Sequence, residues 1–353
     1  MTPPEGRSLF GCFVMSGKLK YPTASRLCDV PIRAAWSVAH RYPHRMTVAW
    51  DDEVDAIITG DAAAGFASVT PAHGVVIVPM APLGLRDRDV GTVTLTTSLG
   101  LPKKLDRLRG NSSVAIAYHA REHGDSDSPL HVLVQGTAFV EARPNRAWLE
   151  SITPQWEHFL GPRQSGPLGR LMDIYYWQRL AITVQVHRIL VYDGTTASPR
   201  VLGHALPADP PSSQTAPKQG IEPRVDTGKI AAQIGRLPHT LLGWVGADGL
   251  PMVARVQVRG FNDQGLSLGT SDGLFPSGCR RAGLTSHHFH RHMVGQEQRV
   301  HTGWLDVKGA EATYAPHTRA GYALPQSKAL MSLGAAVGMR AGYRRARQLG
   351  LTN

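Results

Sequence analysis

The chain has few of the features that announce a function. Its 353 residues include only three cysteines, Cys12, Cys28 and Cys279. They are odd in number, widely scattered and match no metal-ligand or disulfide spacing, so the expected compartment is the reducing cytoplasm. No apolar run approaches the length of a membrane span. Residues 9–15 are apolar, but the run is short and lacks a small-residue cleavage site, which argues against a signal peptide. No Gly-x-Gly-x-x-Gly follows a strand, no P-loop occurs and no Gly-x-Ser-x-Gly elbow is present. Rossmann dehydrogenase and hydrolase readings therefore lack support.

Acidic residues are also scarce, 27 against 38 Lys and Arg, leaving a formal net charge of +11. Such an excess attracts nucleic-acid phosphates, but it equally suits an anionic cofactor. The basic residues are mostly arginines spread along the chain, with no basic run interleaved with aromatics, so no nucleic-acid partner is expected. With 42% hydrophobic residues the chain can bury real cores, and its length allows two domains.

The first 45 residues lack periodicity and read as a loose tail, or as an upstream extension if translation starts at Met15 or Met46. Residues 51–60 read as a short amphipathic helix with an acidic start, 65–70 and 75–80 as strands joined by a turn. The most informative stretch is 92–136. It reads as a strand ending in Thr97 and Ser98, a turn, a helical stretch over 105–110 preceded by Lys103 and Lys104, then strands over 114–119 and 131–136. Hydroxyls at a strand end, two lysines at a helix start and free amide groups make a socket for a phosphate. Taken alone, the same residues equally describe an ordinary capped helix with surface lysines. A helix over 146–152 capped by Asn145, an irregular stretch over 154–169, a helical stretch over 171–180 and a long strand over 181–193 complete this region.

The order T-L-T-T-S-L-G-L-P-K-K-L-D-R-L-R-G-N-S-S-V-A-I-A-Y-H, followed by H-V-L-V-Q-G-T-A-F-V, resembles the FMN-binding split β-barrel of the pyridoxamine 5'-phosphate oxidase-like superfamily. That group includes flavin- and deazaflavin-dependent oxidoreductases. The resemblance covers roughly residues 51–193. It implies that Ser98, with Thr97 beside it, and Lys103 and Lys104 grip the cofactor phosphate. It also implies that His131, opening a strand where relatives place a polar group, lies near the flavin ring; a half-exposed strand histidine is the alternative. Two departures stand out. The strand over 75–80 lacks the arginine that many members extend to the phosphate, and no C-terminal Trp and Arg constellation for a pyridoxamine phosphate substrate can be placed.

Residues 199–223, dense in Pro, Ser and Gln, read as a linker. A second unit over 224–353 then repeats the opening of the first: a helix over 225–237, strands over 240–245 and 250–258 about an Asp-Gly turn, and a third strand over 266–269. Residues 279–288 read as helical, 299–307 as a strand and 327–348 as a helix with a basic end. This unit resembles a second, more diverged split barrel without the Ser-then-Lys-Lys arrangement, which makes one cofactor per chain the simplest expectation.

The cluster His287-His288-Phe289-His290-Arg291-His292 invites a metal or haem reading. Adjacent histidines on a helix point apart, and no carboxylate or thiolate support is evident, so it is read as polar surface or groove lining with no metal. Arg280 and Arg281 are either the second unit's counterpart of the lysine pair or interface charges. Arg107, one turn beyond Lys103, is the remaining basic candidate.

The expected architecture is thus mainly β with short helices: a tail over 1–45, a cofactor-binding split barrel over 46–198, a linker over 199–223 and a second barrel over 224–353. Together the barrels form an intrachain pseudo-dimer, monomeric or further paired as a homodimer. The resemblance implies a flavin- or deazaflavin-dependent oxidoreductase using FMN or a deazaflavin for hydride transfer to or from a small molecule. The alternative is a non-catalytic flavin or haem carrier. No side chain is singled out as catalytic.

Overall fold

The computed structural model describes residues 47–194, 198–270 and 275–352; the expected tail lies outside them. Asp51 accepts the Val54 amide at 2.9 Å and caps α1 (Asp52–Gly60), which buries Val54, Ile57 and Ile58 at i, i+3, i+4 spacing. There follow β1 (Ala63–Val69), β2 (Val75–Met80), β3 (Arg86–Asp87), β4 (Thr92–Ser98), α2 (Pro102–Gly110), β5 (Ser113–Ala120) and β6 (His131–Val140). Four short helices, α3 (Arg146–Ser151), α4 (Thr153–Leu160), α5 (Gly166–Leu171) and α6 (Asp173–Tyr176), lead to β7 (Arg179–Tyr192) and β8 (Arg200–Gly203). The second half holds α7 (Thr227–Ile234), β9 (His239–Val245), β10 (Pro251–Asn262), β11 (Gly265–Thr270), β12 (Gly278–His288), β13 (Glu297–Lys308), β14 (Glu311–Pro316), β15 (Ala320–Ala323) and α8 (Lys328–Gln348).

The two sheets repeat one topology. The first runs β2-β1-β5-β6-β7-β4-β3, with β8 added on β7. The second runs β12-β9-β10-β11-β14-β13-β15, and an extra β12–β13 ladder closes six of its strands into a ring. Traversed from β10, that ring reads β10-β9-β12-β13-β14-β11, the order β2-β1-β5-β6-β7-β4 of the first sheet. The opening hairpins match residue for residue: Val69 pairs with Val75, Val245 with Pro251. The two rings differ in closure. A β10–β11 ladder completes the second ring, whereas no ladder joins β2 to β4 among the described residues. The protein is therefore mainly β, with one closed barrel, a second sheet of the same order and short helices.

Each sheet encloses its own core. Phe66, Met80, Leu95, Ile116, Val134, Ile182 and Ile189 belong to the first; Leu242, Trp244, Leu268, Leu284, Leu305 and Tyr314 belong to the second. A separate cluster joins the units, in which Leu241 and Val253 pack on Ala67, Val75, Ile77, Ala115 and Leu133. Small residues allow this approach. A Cβ on Gly65 would lie 2.5 Å from Leu241 Cδ1, and one on Gly243 would lie 2.8 Å from Val75 Cγ1. By hairpin register Gly65 and Leu241 hold equivalent places, so the pseudo-twofold axis passes between them.

Three expectations fail. Residues 279–288 are strand β12, not helix; the strand lies between β9 and β13 and also meets the first unit, where Thr285 Oγ1 donates to Ile77 O at 2.9 Å, so both faces are covered and no alternation marks it. The stretch over 154–169 is not irregular: it contains α4, whose Pro154 sits in the first turn, where a missing N–H costs nothing, and which buries Trp156 and Phe159. The helical stretch expected over 171–180 breaks into the end of α5, the single turn of α6 and the start of β7.

The 199–223 segment is also more than a slack connection. It supplies β8, and its later residues are bonded across both units. Arg280 donates to Pro211 O at 3.0 Å, Arg281 N to Gln214 Oε1 at 3.0 Å, and Gln214 Nε2 to His73 O at 2.9 Å. Arg280 and Arg281 are thereby committed to this strap. No described helix is long and apolar enough to cross a membrane.

Candidate functional site

β4 delivers the expected phosphate residues, and its pleat divides them. Val93 and Leu95 face the first core, so Thr97 lies on that face while Thr96 and Ser98 lie on the other. Thr97 is buried, and its Oγ1 has no hydrogen-bond partner among the described residues. Ser98 is equally buried, but its hydroxyl is engaged: Oγ donates to Ile174 O at 3.0 Å and accepts the Gly100 amide at 3.1 Å. Its role is to hold the turn into α2.

The lysine pair splits for a similar geometric reason, since consecutive helical residues point about 100° apart. Lys103 is exposed. Lys104 has a half-buried stem, and its amine is enclosed 2.8 Å from Met80 Sδ and 5.7 Å from the Phe66 ring centroid. Burial, followed by the like charges of Arg179 and Arg107, pushes its pKa down to about 7. No carboxylate is paired with it among the described residues.

Arg179 is the residue that sequence reasoning missed. It starts β7 opposite Ser98, is 9% exposed, and donates to Thr96 Oγ1 at 2.8 and 3.0 Å, to Thr96 O at 3.1 Å and to Tyr175 O at 3.1 Å. Its guanidinium lies over the rings of Trp156 and Tyr175. In sequence it fell within a stretch expected to be helical, and only the β4–β7 register brings it to Ser98. Burial lowers even this guanidinium, to about 10.

Helix α8 roofs the junction. A Cβ on Gly342 would fall on Gly100 O, one on Gly100 would meet Met339, and Arg109 binds Leu349 O and Gly350 O at 2.9 and 2.7 Å.

His131 belongs elsewhere. It pairs with Tyr192 across β6–β7, whereas Ser98 pairs with Arg179 at the other end of β7, roughly 40 Å away along the strand. His131 is buried, stacks on Tyr192 at 5.2 Å and lies close enough to His119 to disfavour its protonation. Its face of β6 also carries Gln135, which donates to Pro251 O at 2.6 Å and accepts from Arg188 Nε at 2.7 Å; Arg188 in turn reaches Asp248 at 2.7 Å. This face is a joint between the units.

The histidine cluster is also redistributed. His287, the last residue but one of β12, pairs with His239 of β9, and its Nε2 lies 2.8 Å from His119 Nε2. Because His119 Nδ1 faces Ala117 O at 2.9 Å, neutral His119 carries its proton there and accepts from His287 at Nε2. Among the described residues no group of three or more His, Cys, Asp or Glu is placed to hold a metal.

The fold defines a class, the split β-barrel in tandem. No family model matches the chain, and no curated protein does. Solved structures it is similar to include a conserved hypothetical protein from Mycobacterium tuberculosis (19% identity, TM-score 0.31, covering 43% of this chain and 90% of that one). Others are general stress protein 26 from Bacillus anthracis (14%, 0.30, 43% and 97%) and a pyridoxamine 5'-phosphate oxidase-related, FMN-binding protein from Nostoc punctiforme (9%, 0.28, 40% and 80%). The architecture itself stands on the strand order and register given above.

Proposed function

We propose that this chain binds a phosphorylated flavin-type cofactor, FMN or a deazaflavin, and acts as an oxidoreductase on a small molecule. The observation that carries the reading is the carboxylate-free polar set at the β4–α2 junction. Among the described residues the enclosed ammonium has no carboxylate, the charges that act on it are other cations, and a buried hydroxyl on the same sheet face has no hydrogen-bond partner. Such a set fits a phosphate, which would offset the burial of the charge and accept from the hydroxyl. When bound, a flavin-type group supplies the hydride chemistry. Lys104 and Thr97 would hold its phosphate, Ser98 would fix the turn, and exposed Lys103 would add attraction at longer range.

Absorbance of the purified protein, followed by titration with FMN, deazaflavin and haem, tests the reading. Lys104→Ala should weaken FMN or deazaflavin binding roughly ten- to a hundredfold, the range for a hydrogen bond to a charged group. Unchanged affinity would remove Lys104 from the site. A non-catalytic carrier is the second reading, favoured by the engaged Ser98 hydroxyl and by Pro79 in a β2 without arginine. Turnover with reduced nicotinamide or reduced deazaflavin separates enzyme from carrier.

A further inference from the structure

The end of the sequence carries charge of one sign. No Asp or Glu follows Glu311, whereas Arg319, Lys328, Arg340, Arg344, Arg345 and Arg347 do. The last four stand on the second half of α8, and the docking of that helix decides which way they face. Gly342 is pressed against Gly100, and Tyr343, Ala346 and Leu349 pack with Leu99 and Leu105. On a 3.6-residue helix the side opposite these carries Arg340, Arg344 and Arg347, spaced i, i+4, i+7, and all three are exposed. They make no ion pair among the described residues, while Arg345 donates to Gln348 Oε1 at 3.2 Å. We propose that this stripe, with the neighbouring face of α2, docks on an anionic lipid surface.

α2 extends the charged face. Gly100 meets Met339 and Gly342, and Arg109 reaches Leu349 O and Gly350 O, so α2 runs alongside the last turns of α8. It buries Pro102, Leu105 and Leu108, which turns Lys103 and Arg107 outward on successive turns; Lys103 is exposed and Arg107 half-buried. With Arg340, Arg344 and Arg347 they make five outward cations, and Asp106 is the single acid of the two helices. A basic cluster of this size recognises anionic headgroups, each cation adding about fivefold to the affinity near the surface.

Leu101 selects a lipid surface over a nucleic acid. It precedes α2, is 47% exposed and stands two residues before Lys103. A hydrocarbon side chain beside cations gains from entering the acyl boundary below the headgroups, and gains nothing along a phosphodiester strand. Nucleic-acid strands bound without sequence preference are held in grooves whose cations are joined by aromatic rings. Here the stripe lies on the convex side of a helix, and the one aromatic residue between 338 and 348, Tyr343, packs inward. The stripe has no part in holding a cofactor, so the inference stands apart from the reading of Lys104.

Sedimentation of the full-length chain with phosphatidylcholine vesicles, with and without phosphatidylglycerol, tests the face. Binding is expected only where phosphatidylglycerol is present, and it should fall steeply with added salt. Arg340→Gln/Arg344→Gln/Arg347→Gln should weaken it roughly a hundredfold. Lys218→Gln/Arg236→Gln/Arg259→Gln removes as many charges from exposed sites of the second unit and should weaken it far less. Leu101→Ser should cost roughly tenfold, from the apolar area it no longer buries. Duplex DNA at equal phosphate concentration should not displace the protein from the vesicles. No binding to phosphatidylglycerol vesicles, equal binding to neutral ones, or equal losses in the two folded triple variants would overturn the proposal. Displacement by DNA, or Leu101→Ser binding as tightly as the unaltered chain, would overturn the choice of lipid. FMN titration of the same variants reads the Lys104 site whether or not vesicles bind, so the two readings fail separately.

Discussion

Lys104 shows how one side chain can report an absent partner. Its amine titrates near pH 7 because burial and two neighbouring cations oppose its charge. In the ligand-free protein the folded pKa lies below the ordinary 10.5, so the unfolded chain binds more protons between these values and stability rises with pH across that window. Ligand binding has the opposite sign. A bound dianion favours the ammonium, so complex formation above pH 7 takes up a proton, and affinity should fall as pH rises, by up to about tenfold per unit. Titrations of FMN at pH 7, 8 and 9 measure this. An affinity flat over that range would place the phosphate away from Lys104. From sequence, Thr97, Ser98, Lys103 and Lys104 formed one cluster. Backbone periodicity then sorts them, because neighbours on a strand or helix cannot share a face, and Arg179 is invisible until β4 and β7 are paired.

At the scale of elements, the contact between α8 and the β4–α2 turn depends on two glycines. Gly342 has no room for a Cβ, which would fall on Gly100 O, while Gly338, one turn earlier, has nothing within 4 Å. Gly342→Ala should destabilise the protein by about 1–3 kcal/mol through forced displacement of the helix. Gly338→Ala should be neutral or stabilising by up to about 1 kcal/mol through helix propensity. Thermal unfolding of the two variants reads this contrast; equal behaviour would show that α8 is not docked there. Elements with a strong local signature were legible: the 3.6-residue spacing of α1, the turn residues of the hairpins at 70–74 and 246–250, and the β-branched run of β4 all match. β12 was not, because an inner strand touching the other unit keeps polar Thr285, Ser286 and His287 buried and loses the period-two signal. The single turn of α6 is too short to leave a period. Pro154 suggested a loop, although proline is well placed in a first helical turn.

For the whole molecule, the joint between units carries neutral histidines. Burial is the first cause in all three: it pushes His287 down to about 3 and lowers His119 and His239, against the pull of Glu122 on His239. The unfolded chain would protonate these rings near the ordinary 6.5, so below that pH it binds more protons than the folded one. Stability is therefore complete above about 6.5 and is lost as pH falls towards 3, by about 1.4 kcal/mol per unit for each fully differing group. Unfolding temperatures between pH 7 and pH 4 should drop steeply, and less steeply in His119→Gln/His287→Gln. Identical acid profiles would mean that these rings do not govern the joint. The repeat itself could be read from the chain, since both hairpins open alike; the meeting of His119 with His287 could not, being set by packing across 168 positions.

The ring left open in the first half has a mechanical corollary. Lys104 grows from the helix that follows β4, yet its nitrogen rests on Met80 of β2, so it spans the seam that hydrogen bonding leaves unstitched. An anion lodged beside it would act as a clasp between β2 and the β4–α2 turn, giving this half a closure that its twin already has from backbone alone. Occupancy and stiffness would then be one and the same variable.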